Sequence, residues 1–271
     1  MNLTILKEAL KKGYETNGIK VDCSYCTKDF LIPICEKHLK SINESDGNAI
    51  QQLKQINSSA ALAVYYHLML NTVSKELCFE KKVAVPLKGA RRKANLDVKY
   101  EVSGHEKDCL VFVESKFLEP YYSRNEVNSP SYFDISRYPD MDETKRKKWK
   151  KLMIDAQEYK YYNFSQMCRH LMAIYREYPI GDNGRNVILK SLSWSITDKF
   201  LEFVEDKYKD ALKKRHELIH EEISKAEGRI NKFLADIQWQ SLTFITETYN
   251  DSLDRINKHP QFEEFKKRYF L

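Results

Sequence analysis

Glycine and proline are scarce, 8 and 7 residues in a chain of 271, which argues against a disordered or low-complexity chain. No apolar run approaches the roughly 20 residues that a membrane-crossing helix needs, and Met1-Asn2-Leu3-Thr4 does not open a signal-peptide pattern. A cytoplasmic, intracellular protein without membrane contact is the expectation. Disulfides are rare in that compartment, so the six cysteines read as free thiols or metal ligands. The net charge of +6 does not by itself mark a nucleic-acid binder; its distribution does. No internal repeat is evident. What the chain does have is apolar material for a core, 42%, and length for one large domain or a domain with an appendage.

The most informative stretch is Ala94 to Lys116. Two apolar-leaning runs flank a polar turn at 103–108, the pattern of a β-hairpin. The second arm, Leu110-Val111-Phe112-Val113, is continuously apolar and suits a strand buried on both faces. It ends in Glu114-Ser115-Lys116, and unpaired charges are expensive to bury. Side chains two apart on a strand share a face, so Glu114 and Lys116 project together while Ser115 points away. Asp97 on the partner arm can approach the same patch. Two carboxylates beside an ammonium make a hard-oxygen site for Mg²⁺. The other reading of these residues is a salt-bridge cluster at a strand end.

Asp97, sixteen intervening residues, and then Glu114-Ser115-Lys116 after a hydrophobic strand resemble the PD-(D/E)XK nuclease superfamily. Leu96 stands where the proline of the family's name would be. The resemblance covers roughly residues 58–240 and implies a restriction-endonuclease-like α/β (α+β mixed) core, a central mixed sheet flanked by helices. It further implies that Asp97 and Glu114 hold Mg²⁺ or Mn²⁺ with the Ser115 backbone carbonyl, and that Lys116 positions the attacking water or steadies developing charge. A helix before the sheet in this superfamily often adds a carboxylate, here Glu76 or Glu80. The helix after the ExK strand carries a glutamine in several branches, here Gln166, to orient water or phosphate.

Ahead of this core, residues 2–12 read as an amphipathic helix ended by Gly13. Cys23 and Cys26 form a CxxC pair, and Cys35 and His38 a CxxH pair, a donor set that suits structural Zn²⁺. Alternatively Cys35 is a buried small hydrophobe and His38 an exposed helix residue. A polar break at 43–47 sets the expected division into 1–50, a small Cys/His module, and 51–271, the nuclease-like domain. Residues 51–79 read as helical and 83–87 as the first strand. The basic loop Lys88, Arg91, Arg92 and Lys93 suits a phosphate backbone, or is a solvated turn.

After Lys116 the role of Glu119 is open, and the chain reads as irregular to about residue 138. Six cations in 145–151 line a nucleic-acid groove or form a solvated helix face. Residues 159–177 read as an amphipathic helix, with His170 a structural histidine rather than a general base. Strand 187–194, a long helix 198–234, a last strand at 236–239 and a helix from 241 onward complete the reading. The long helix packs along the domain or builds a homodimer.

The expected activity is metal-dependent hydrolysis of phosphodiester bonds in double-stranded DNA, in a restriction-type or defence endonuclease. The alternative is a catalytically inactive nucleic-acid-binding or assembly protein with a nuclease-like core. A third reading, a dimerising helical scaffold, leaves the charged strand end unexplained.

Overall fold

The computed structural model describes the chain apart from residues 1, 23–24, 27–31, 47–48, 71–75, 104–107, 123–127 and 180–185, and gives backbone only for 25–26, 44–46 and 49. Helix α1 (Leu3–Thr16) is followed by the two-residue strands β1 (Val21–Asp22) and β2 (Tyr25–Cys26), then α2 (Glu36–Asp46), α3 (Ala49–Gln52) and α4 (Ser59–Met69). Strands β3 (Cys78–Lys82), β4 (Asn95–Val102) and β5 (Cys109–Lys116) come next. Helices α5 (Glu119–Tyr122), α6 (Glu143–Asp155) and α7 (Phe164–Glu177) lead to β6 (Asn186–Ser193). Helices α8 (Asp198–Glu202) and α9 (Asp206–Asp236) lead to β7 (Leu242–Thr248), and α10 (Phe262–Tyr269) closes the chain.

The main sheet has the order β3-β4-β5-β6-β7. Its first three strands pair antiparallel and its last two join in parallel. Parallel neighbours need a long crossover, and the helical segments between β5 and β6 and between β6 and β7 supply them. As expected for its apolar run, β5 is buried from Leu110 through Ser115. Alternation along it has a direct consequence. Ser115 Oγ meets the Ser59 carbonyl at the start of α4 (3.2 Å) and the Tyr249 hydroxyl (2.7 Å), while Glu114 meets α7. Thus α4 and α7 address opposite faces of this strand.

Several elements differ from the sequence expectation. The helix expected over 51–79 is two shorter ones, and residues 78–82 are strand. Ladder bonds continue past β3, from Val83 N to Ala94 O and from Ala94 N to Ala84 O (2.8 and 3.3 Å), but Pro86 has no N–H to extend them. The first strand therefore lies five residues before its expected place. The helix expected from 159 starts at Phe164, capped by the Asn163 side chain. The long helix is interrupted at 203–205 and then runs to Asp236 without a strand at 236–239. Its end is a Schellman turn, with Trp239 N to Leu234 O and Gln238 N to Ala235 O and Gln238 at φ 58°. Residues 242–248, expected as helix, form β7.

Gly13 does not end α1. It lies inside the helix, where an added Cβ would come within 2.3 Å of Leu271. The described part of residues 1–50 shares one buried cluster with the rest, running from Leu6 to Leu271, and no separate Cys/His module is evident among the described residues. The apolar stripe of α9, including Leu212, Ile219, Ala226 and Ile230, is buried inside the chain, so it is not left over for a second copy. No helix among the described residues is long and apolar enough to cross a membrane.

One contact of α9 fixes the segment that leads into α7. The Glu222 carboxylate accepts the backbone N–H groups of Lys160, Tyr161 and Tyr162, at 2.9, 2.8 and 2.8 Å. Glu222→Ala would leave three donors without that acceptor, at an expected cost of about 2–3 kcal/mol. Urea unfolding should show the loss, with Glu222→Gln less affected; an unchanged midpoint in the alanine variant would contradict this stitching.

Candidate active site

The register of the sheet assembles the site. Phe79 pairs with Val98 and Lys81 with Leu96, which sets Glu80 opposite Asp97. Val98 pairs with Val113, so one step further Asp97 stands opposite Glu114. Three carboxylates thus occupy one row across β3, β4 and β5. Residues directly opposite on neighbouring strands have Cβ atoms about 4.5–5.5 Å apart, and like charges there are destabilising. Glu80 also has φ 53°, a left-handed conformation that costs a non-glycine residue about 1–3 kcal/mol. Its carboxylate accepts a short hydrogen bond from Asn95 Nδ2, while Asn95 Oδ1 is buried without a partner.

Glu114 is 3% exposed and densely held. Its Oε1 accepts from Lys116 Nζ at 2.6 Å and from Gln166 Nε2 at 2.7 Å. Its Oε2 lies 3.1 Å from His170 Nε2, although that ring is not aligned for a hydrogen bond and both its nitrogens lack one. Burial opposes ionisation of Glu114, but Lys116 and then His170 outweigh it and hold the carboxyl at about 2. Burial also opposes the charge on Lys116, and Glu114, Glu119 and Asp97 together raise its pKa above the ordinary lysine value. Asp97 goes the other way. Burial, Glu114 and Glu80 push its carboxyl well above the usual range, against Lys116 and the Ser115 N–H that donates to Oδ2 at 2.6 Å. One partly buried lysine does not balance this row of acids.

Carboxylates, an amide oxygen and a backbone carbonyl are the donors that suit a hard divalent cation, and the raised Asp97 is what a row short of positive charge produces. The donor chemistry therefore fits Mg²⁺ or Mn²⁺. Among the described residues, however, no three His, Cys, Asp or Glu side chains are already arranged to hold a metal ion. A carboxylate has about four lone-pair sites, and the groups around Glu114 take up to three.

Of the residues singled out in sequence, Asp97, Glu114, Lys116 and Gln166 converge, joined by Glu80 from a strand rather than a helix. Glu76 does not join them; it is half exposed and pairs with Lys99 at 3.0 Å. Glu119 accepts the Phe117 N–H at 2.8 Å. His170 belongs to the site, and the sequence signal for it is its spacing of four from Gln166, which places both on one face of α7. In the basic loop Lys88 pairs with Asp140 at 2.5 Å, while Arg91, Arg92 and Lys93 are exposed. The lysine-rich run is the outer face of α6, with Trp149 buried.

For the expected zinc ligands, Cys23 and the side chain of Cys26 lie outside the described residues. Cys35 is exposed and the His38 ring packs edge-on to Phe79 at 5.3 Å. A further spacing, His216-Glu217-Leu218-Ile219-His220 on α9, has the HExxH form of zinc peptidases, but its geometry is different. His216 Nδ1 meets the Tyr121 hydroxyl (2.8 Å), His220 Nε2 meets Ser195 Oγ (3.1 Å), and Glu217 is exposed.

The raised Asp97 carboxyl sets a sign for pH dependence. An acid whose folded pKa lies above its unfolded value contributes stability at low pH, and that contribution is lost as pH rises through the folded value. In EDTA the wild type should lose stability as pH climbs out of the ordinary carboxylate range. Asp97→Asn keeps an acceptor for the Ser115 N–H and removes the repulsion. It should flatten that slope and be the more stable protein at neutral pH, by up to about 1 kcal/mol. Thermal melts across pH test this; a destabilised Asp97→Asn at neutral pH would contradict it.

The profile of the family described as Restriction Endonuclease associating with ARP matches residues 22–270. A search of curated proteins and a search of solved structures each found no match. The matched span covers both the main sheet and the acid row. The chain belongs to this restriction endonuclease family, which is related to the PD-(D/E)XK nucleases.

Proposed function

We propose that this chain is a metal-dependent nuclease that hydrolyses phosphodiester bonds in DNA. The observation that carries the reading is the row Glu80–Asp97–Glu114 with the partly buried Lys116 as its cation, in a chain of a restriction endonuclease family. Asp97 and Glu114 would hold Mg²⁺ or Mn²⁺, with Glu80 and the Ser115 carbonyl as further oxygen donors. When bound, such an ion polarises a phosphoryl oxygen and eases deprotonation of water.

The protein side of the mechanism follows from the contacts around Glu114. Lys116, held at 2.6 Å from Glu114, supplies a fixed positive charge for the anionic phosphorane-like transition state. Gln166 donates to the same Glu114 oxygen and so orients the carboxylate. The His170 ring packs beside the other oxygen, its Nε2 at 3.1 Å. The Ser115 N–H fixes Asp97 through one carboxylate oxygen. The family is described as associating with ARP, and the proposal extends that association to this chain.

A second reading has observations of its own. Glu114 is already engaged by Lys116, Gln166 and His170, and no ready-made three-residue metal cluster occurs among the described residues. These favour a nuclease-like core that binds nucleic acid or assembles with a partner without cutting. The row of three carboxylates beside Lys116 is what supports the cutting enzyme.

Purified protein incubated with plasmid and linear DNA, with Mg²⁺, with Mn²⁺ and with EDTA, separates the two. The nuclease reading predicts metal-dependent cleavage that falls by about 10²-fold or more in Lys116→Ala and by less in Gln166→Ala. Cleavage that survives Lys116→Ala would remove the assigned site. Absence of cleavage by the wild type with either metal would establish the second reading over the first.

A further inference from the structure

Between α2 and β3 lies a cleft of about 470 Å³ lined by Lys37, Lys40, Ser41 and residues 78–82. Lys37 and Lys40 are three apart on α2 and so share a face, and both are exposed. Lys81 and Lys82 come from the strand opposite. Ser41 Oγ donates to the Phe79 carbonyl at 2.6 Å, pinning helix to strand and fixing the spacing of the two lysine pairs. Four lysines thus line one cleft in which Glu80 is the lone acid among the lining residues, with Glu76 close to Lys37 and Lys81. Glu80 is also the first member of the acid row, so the cleft and the row share that residue.

We propose that this cleft carries the phosphodiester backbone of a nucleic acid to the acid row. The chemistry argues for backbone rather than base contact. Lysines act as flexible point charges on phosphate, and the lining holds neither arginine forks nor tyrosine or tryptophan to read or stack bases. The surface therefore supplies affinity without sequence preference, and it adds helix α2 to the exposed cations of the loop at 88–93 as a binding element. The inference rests on the reading that the chain acts on nucleic acid, and it holds whether or not the chain cuts.

Binding is measured in EDTA by fluorescence anisotropy, with a fluorescein-labelled duplex and with its single strand, over a range of salt concentrations. Lys37→Ala/Lys40→Ala should weaken binding about tenfold. It should lower the slope of log affinity against log salt by about 1.8 on duplex or about 1.4 on single strand, for two lost phosphate contacts. The size of the change tells which form occupies the cleft. Lys213→Ala/Lys214→Ala, on the exposed face of α9, is the control and should leave both quantities unchanged. All three proteins should melt alike, because the substituted side chains are exposed.

An unchanged slope in the α2 variant, an equal loss in the control, or no binding by the wild type at low salt would each overturn the proposal. A wild type that binds through Lys37 and Lys40 but leaves plasmid intact keeps this inference and removes the nuclease reading. A wild type that cuts while the α2 variant binds unchanged does the reverse.

Discussion

Carboxylates set side by side on neighbouring strands repel one another unless something positive lies among them, and burial strengthens the repulsion because less water screens it. Glu80, Asp97 and Glu114 are in that position, at the end of the sheet where β3, β4 and β5 meet. Much of the nearby structure responds to this constraint. Lys116 is drawn into the protein against its desolvation cost, the Ser115 amide is turned to Asp97, and α7 brings Gln166 and His170 to Glu114. These partners satisfy Glu114 and leave Asp97 protonated more readily than a free carboxyl. In the proposed nuclease a divalent cation would offset that imbalance.

The scaffold makes the row rigid. Both faces of β5 are covered, with α4 against Ser115 and α7 against Glu114. The segment entering α7 is held in turn by Glu222 of α9. A helix that looks in sequence like a dimer stripe is thereby spent on positioning the glutamine and histidine of the site. The left-handed backbone at Glu80 is the strained element, and such strain persists where the surroundings over-determine it. Here the surroundings are the edge of the sheet, α2 across the cleft and the Asn95 amide.

The antiparallel pairing of β4 with β5, the buried run of β5, the placing of Ser115 on the face opposite Glu114 and the convergence of Asp97, Glu114, Lys116 and Gln166 were all legible in sequence, because strand alternation and helical spacing are local rules. Glu80 was legible as a candidate but not as a strand residue. Cys78-Phe79-Glu80-Lys81-Lys82 is too polar to read as strand, since it is an edge that faces a cleft. The end of α9 was hidden for a different reason: Gln238 takes the left-handed position that glycine usually marks. Without that mark the short alternation Leu242-Thr243-Phe244 does not stand out from a continuing helix. His170 carried a usable signal in its spacing from Gln166, but burial alone makes a histidine look structural.

The proposed nuclease requires the acid row to bind a divalent cation, and the raised Asp97 carboxyl makes that binding compete with a proton. Calorimetric titration of the metal-free protein with Mn²⁺ in buffers of different ionisation enthalpy addresses this most directly. The account predicts saturable binding accompanied by proton release, both lost in Asp97→Asn and weakened in Glu80→Gln. Absence of binding, or binding of equal strength in Asp97→Asn without a change in proton release, would contradict it.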